Sequence, residues 1–174
     1  MLAIALAPRA AASEPAVTLR ETVVTGHALP RIDATMTIEA PVERLWPLIS
    51  ECNRFREYMD IESARELNRR GTWSRCELVV DVPFPFGKLR SISDQLNERA
   101  AGRYRVSWKL VSGDYHYDEG FWELTPVGSA RTRVRYVTLT EPKLPVPRGM
   151  LLDGQRDFVK DLLARLRKRV LAAR

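Results

Sequence analysis

Residues 113–126 read GDYHYDEGFWELTP. His116, Asp118 and Glu119 stand close enough in sequence to suggest a catalytic cluster, yet Phe121, Trp122 and Leu124 follow with the rhythm of a strand. A strand sends alternate side chains to opposite faces. With Trp122 and Leu124 facing inward, Gly120, Asp118 and His116 share their side, while Tyr117, Glu119, Phe121 and Glu123 face out. The cluster is therefore split. Glu119 and Glu123 are expected beside Arg103, Arg105, Arg131, Arg133 or Arg135 of neighbouring strands, in cross-strand pairs worth about 0.2–1 kcal/mol each.

The same period of two extends outward from this stretch. Residues 32–38, 59–67, 72–82, 88–96, 103–111, 116–124 and 132–140 read as seven strands, separated by turns such as NRRG, PFPFG, NERAAG, VSGD and TPVGSA. Short turns make neighbours antiparallel. Tyr104, Val106, Trp108 and Leu110 share one face, opposite Arg103, Arg105, Ser107 and Lys109; Thr132, Val134, Tyr136 and Thr138 oppose Arg133 and Arg135. In the strand at 88–96, Leu89, Ile92 and Leu96 break the alternation and leave its inner side open.

Two short helices follow the first strand. One starts near Pro41, at a first helical position, and is interrupted by Pro47; the other covers NRFREYM. The chain ends in a proline-rich loop and a long amphipathic helix from Leu151, whose stripe comprises Leu151, Leu152, Phe158, Val159, Leu162, Leu163, Leu166 and Val170. Gly154 reads either as a defect or as a point of close approach to the sheet. A sheet with one wet face needs cover on the other, and this helix is the only long cover available. The fold class expected is α+β: a curved seven-stranded antiparallel sheet around the C-terminal helix, with a cavity wherever the helix leaves the concave face unfilled.

At 174 residues, with 45% hydrophobic content, the chain suits one domain. Its formal charge of +6 is compatible with an anionic surface, and RLRKR at 165–169 is a solvated helix end or a membrane contact. No zinc-finger, K/R-G-F or helix-turn-helix signature points to nucleic acid. Residues 1–13 resemble the last part of a secretory signal, which implies a periplasmic or secreted protein; an apolar leader on a cytoplasmic protein is the alternative. Residues 14–30 read as a flexible lead and 31–174 as the folded domain. Cys52 and Cys76 admit one disulfide in an exported protein, or two free thiols packed as small hydrophobes.

IDATMTIEAPVERLWPLISECNRFREYM, then GFWELTP followed by TRVRYVTLT, then the terminal amphipathic helix, together resemble the START-like superfamily, also described as the helix-grip, Bet v 1-like or polyketide cyclase/dehydrase and lipid-transport group. The resemblance covers about residues 31–171. It implies a strand, two short helices, six further strands and a long helix enclosing a hydrophobic ligand cavity, in a superfamily of lipid carriers, ubiquinone-binding proteins, aromatase/cyclases and ligand sensors.

The candidate ligand-binding residues are Cys76, Leu78, Tyr104, Trp108, Trp122 and Tyr136 on the concave face, Phe158 and Leu162 on the helix, and Met150 at an apolar rim with Leu144 and Val146. His116 and Asp118 form an inward polar pair. They read as a general base with its orienting carboxylate, as anchors for a ligand's polar head, or as structural groups at the cavity mouth. The other histidine, His27, lies in the lead, so no conventional zinc site is expected, and no metal or cofactor. There is no Gly-rich phosphate loop, no G-x-S-x-G turn and no H-E-x-x-H. The function expected is binding or transport of a lipid or other hydrophobic small molecule by a monomer, with transient contact at an anionic membrane. The alternatives are a polyketide-type cyclase/dehydrase and an interaction module without a ligand.

Overall fold

The computed structural model describes residues 17–82 and 86–172, so the leader read at 1–13 and residues 83–85 lie outside it. Strands β1 (Thr18–Thr22), β2 (Arg31–Ile38), β3 (Ser63–Arg70), β4 (Trp73–Val82), β5 (Gly87–Ala100), β6 (Arg103–Gly113), β7 (Tyr115–Val127) and β8 (Arg131–Pro142) form one antiparallel sheet, in the order β1-β2-β8-β7-β6-β5-β4-β3. Helix α1 (Val42–Ser50) and a 3-10 helix (Cys52–Glu57) join β2 to β3, and helix α2 (Arg148–Ala172) ends the chain. This is the helix grip that the period-two pattern implies.

The alternation in β2 is realised fully. Ile32, Ala34, Met36 and Ile38 are buried, while outward Asp33 is paired with Arg135 of β8 at 2.6 Å. Against this concave face α2 lays Val159, Leu162, Leu163, Leu166 and Val170, all buried. At 25 residues α2 is about 37 Å long. It starts at Arg148, ahead of the expected Leu151, because the Pro147 carbonyl accepts the Leu151 N–H at 3.2 Å and opens the first turn. A Cβ at Gly154 would meet open space, so this glycine is no point of close approach.

Among the described residues eight strands stand where the sequence reading expects seven. The additional one, β1, lies in the segment read as a flexible lead and pairs with β2 from Thr18↔Thr35 to Thr22↔Arg31. It is an edge strand with almost no buried side chain, so backbone hydrogen bonds hold it, with the ion pair from Glu21 to Arg156 of α2 at 2.5 Å. Pro41 sits just before α1 in extended backbone, its carbonyl accepting from Arg44 N–H at 3.1 Å. Pro47 lies inside α1, which stops after nine residues. Leu45 and Ile49 of this short helix are fully buried.

Cys52 and Cys76 are joined in a disulfide between the 3-10 helix and β4, with Cα atoms 6.0 Å apart. Of the two alternatives left open by the sequence, the structure therefore shows the bridge. Closing a loop across 24 residues removes unfolded-state entropy worth about 3.5 kcal/mol in the chain-entropy model.

Candidate functional site

Between the concave face and α2 lies a cavity of about 120 Å³. Its apolar wall comes from Phe55, Met59 and Ile61 at and after the 3-10 helix, from Cys76, Leu78 and Val80 on β4, and from Val106 and Trp122, with Phe158 contributed by α2. Phe158 is 37% exposed while lining the cavity, which places it at the boundary with solvent. Ser91, Ser93 and Gln95 on β5, Tyr115 and Asp118 on β7, and Tyr136 and Thr140 on β8 bring polar atoms to the interior, with Trp108 of β6 beside them.

The polar end is organised around Asp118. The Trp108 indole N–H donates to Asp118 Oδ1 at 3.1 Å and the Thr140 hydroxyl donates to the same oxygen at 3.0 Å. Since Thr140 spends its one proton there, Thr138 donates to Thr140 Oγ1, 2.8 Å away. Burial pushes the Asp118 carboxyl up to about 6, the Trp108 and Thr140 hydrogen bonds oppose that rise by favouring the carboxylate, and Glu119 next along β7 adds to it. Burial, reinforced by the Asp118 charge, holds the hydroxyls of Tyr115 and Tyr136 well above the ordinary phenol range.

A glycine makes the Trp108 contact sterically feasible. Trp108 sits opposite Gly120, and a Cβ on Gly120 would come within 2.6 Å of the indole ring and 2.1 Å of the Val137 carbonyl oxygen. The indole therefore lies across the glycine, with Tyr136 stacked on it at 5.5 Å between centroids and Trp122 next at 4.4 Å from Tyr136. On the other side of the sheet Phe121 lies under the Arg105 guanidinium at 3.6 Å, and Glu123 pairs with Arg105 at 3.4 Å and Arg103 at 3.5 Å, the outward surface that alternation requires.

Of the residues singled out from sequence, Cys76, Leu78, Trp108, Asp118, Trp122, Tyr136 and Phe158 meet at the cavity. His116 does not. It is exposed, because β7 carries a bulge in which Tyr115 pairs with Pro142 and Tyr117 with Glu141, so two steps on β7 match one on β8. The extra residue reverses the parity upstream: Tyr115 turns inward and His116 outward, separating it from Asp118. Tyr104 packs at 5.5 Å on Trp46 of α1, away from the cavity. Leu162 lies in the closed core beneath it, and Met150 is 62% exposed.

The sequence reading missed Tyr115, Thr140 and the whole inner row of β5. Leu89, Ser91, Ser93 and Gln95 are buried in strict alternation, with Lys88, Arg90 and Asp94 on the other parity. That alternation of charge was the available signal. Phe55, Met59 and Ile61 gave none, since β3 begins at Ser63 and the segment before it, read as strand from residue 59, runs along the cavity wall instead.

Among curated protein sequences none matches this chain. A crystal structure of a STAR-related lipid transfer protein from Xanthomonas axonopodis superposes with a TM-score of 0.79 at 18% identity, covering 92% of this chain and 96% of that one. A protein of Thermus thermophilus is 27% identical with a TM-score of 0.67, over 83% of this chain and 99% of that one. An aromatase/cyclase from a Streptomyces species matches with a TM-score of 0.65 at 14% identity, over 82% and 91% of the two chains. These likenesses share the fold of an open antiparallel sheet gripping a C-terminal helix. The model of the family described as polyketide cyclase/dehydrase and lipid transport matches residues 38–167, from the end of β2 to the last turns of α2, and the chain belongs to that family, within the START-like helix-grip superfamily.

Proposed function

We propose that this protein binds and carries a lipid or other apolar small molecule in the cavity between the sheet and α2. The observation that supports the reading is an interior space with a largely apolar wall, one polar end at Asp118, and Phe158 at its solvent boundary. Burial of the ligand drives binding at about 25 cal/mol per Å² of apolar surface. The volume of about 120 Å³ is smaller than the roughly 300–1,000 Å³ of drug-sized ligand pockets. A ring-sized portion fits as it stands, and a longer ligand needs Phe158 and its helical turn to move outward. Organic extraction of the purified protein followed by mass spectrometry tests the reading. An apolar molecule recovered in stoichiometric amount supports it; empty protein that also refuses a broad lipid panel leaves an interaction module without a ligand.

A second reading, a cyclase or dehydrase, has one observation in its favour: the Asp118 carboxyl, held near 6 in the cavity wall, is placed to exchange a proton with a bound substrate. Turnover of a polyketide-like substrate that is abolished in Asp118→Asn supports this reading. Export to the periplasm or beyond is proposed on the strength of the Cys52–Cys76 bridge, since such bridges persist in oxidising compartments. Delivery at an anionic membrane through the rim of Lys143, Arg148 and Met150 is proposed with it. Here Lys143 Nζ already donates to the Gly113 carbonyl at 3.0 Å and Arg148 to that of Ala28, so these cations must leave backbone partners to meet a bilayer.

A further inference from the structure

We propose that the polar end of the cavity receives an organic cation: an apolar ligand carrying a protonated amine that pairs with Asp118 Oδ2. This rests on the ligand-cavity reading above and names the chemistry of the ligand's head.

The charge inventory of the wall carries the argument. Among the described residues that line the cavity, Asp118 is the one carboxylate and none is Lys, Arg or His. A buried charge is ordinarily matched by an opposite charge, because dipoles alone repay only part of its lost hydration. Asp118 has dipoles alone. Both of its hydrogen bonds, from Trp108 and Thr140, fall on Oδ1, and among the described residues no hydrogen bond reaches Oδ2. At about pH 8 the group is ionised, since its carboxyl stands near 6. The cavity thus presents one negative charge, on a part-buried carboxylate, that no cation among the described lining residues matches.

A second atom asks for the same chemistry. Gln95 is 5% exposed, lines the cavity and has a buried Oε1 without a partner. Gln95 pairs in register with Trp108, whose indole N–H is spent on Asp118, so Trp108 is the neighbour of both residues. An ammonium supplies three N–H donors and a positive charge. An alcohol supplies one donor and leaves the charge unmatched, and a carboxylate or phosphate repels Asp118 and finds no cation. The aromatic rings complete the site: Trp108 and Tyr136 stack at 5.5 Å and Trp122 follows at 4.4 Å from Tyr136, faces of the kind that attract cations.

Four probes with one ring and different heads separate the outcomes: toluene, benzyl alcohol, benzylammonium and benzoate, titrated at about pH 8 by calorimetry or by NMR shift mapping. The ring matches the space, because an engineered cavity of about 150 Å³ accepts benzene. Benzylammonium should bind about tenfold or more tightly than benzyl alcohol, as a charge-assisted hydrogen bond outweighs a neutral one, and benzoate should not bind. In Asp118→Asn, with folding checked by circular dichroism, the ratio of ammonium to alcohol affinity should fall to one or below. Gln95→Met should reduce that ratio by a smaller factor. If toluene and the alcohol bind while the ammonium gains nothing, the amine assignment is overturned and the apolar cavity stands. A preference that survives in Asp118→Asn also overturns it, and a cavity that takes none of the four probes overturns both readings.

Discussion

Replacing Asp118 by asparagine should make the protein more stable at neutral and alkaline pH and no different in acid. The side chain keeps its shape, and an amide Oδ1 still accepts from Trp108 and Thr140. What is lost is the ionisation. The folded carboxyl titrates near 6 against 3.8 for the free side chain, a raised value. The folded state therefore holds its proton through a window in which the unfolded chain has already released it, and stability falls as pH rises from about 3.8 to about 6. Above that window the full cost applies, about 3 kcal/mol at 1.36 kcal/mol per tenfold change in proton affinity. For a chain of this size 1 kcal/mol is worth about 2–4 °C, so the variant should melt about 6–12 °C above the parent at pH 8 and level with it below pH 4. Urea or thermal melts of both proteins across that range, with the disulfide intact, give the difference directly. Lowered carboxylates such as Glu21, Glu57 and Glu77 run the opposite way but cancel between the two proteins. A difference that stays constant with pH, or a variant that is less stable at pH 8, refutes the placement of Asp118 in a desolvated site.

Gly120→Ala should cost more than about 2 kcal/mol, because the new Cβ meets the Val137 carbonyl and the Trp108 ring; loss of the near-UV Trp signal would check that the indole has moved. Gly154→Ala should stabilise by about 1 kcal/mol in chemical denaturation, since the methyl enters open space on a helix. Reduction of Cys52–Cys76 should lower unfolding free energy by about 3.5 kcal/mol, and mass analysis after alkylation without reductant should find no labelled thiol. His116→Ala should leave binding of any cavity ligand unchanged within twofold, because its side chain faces solvent across the bulge.

The strands of this fold are legible in the sequence for one physical reason. A sheet that packs one face on α2 and wets the other must alternate, and β2, β6 and β7 do so where they touch the core, as does β8 up to Tyr136, beyond which Val137 and Leu139 are buried as well. The long helix is legible from its stripe for the same reason. β1 is not, because an edge strand that only partly buries Leu19 has no pattern to show; its pairing with β2 is a matter of backbone hydrogen bonds, which every sequence but proline can make.

The cavity inverts the rule that makes the fold readable. Inward on β5 are Ser91, Ser93 and Gln95, while Leu96 is 41% exposed on the outer surface, so sorting by hydrophobicity faces this strand the wrong way or leaves it undecided. Polar residues survive inside because they face open space and not close-packed neighbours, and that same placement makes them available to a ligand. His116 fails for a different cause. Alternation counted back from Trp122 reaches Gly120 and Asp118 correctly, then meets one extra residue, and beyond it every parity is reversed. The histidine that looks chemical in the sequence is thereby delivered to solvent, and the carboxylate two residues away is left in the cavity without a charged partner. The proton acceptor left in the cavity is the Asp118 carboxylate, beside the hydroxyls of Tyr115, Tyr136 and Thr140, since the bulge has carried the imidazole of the stretch to solvent.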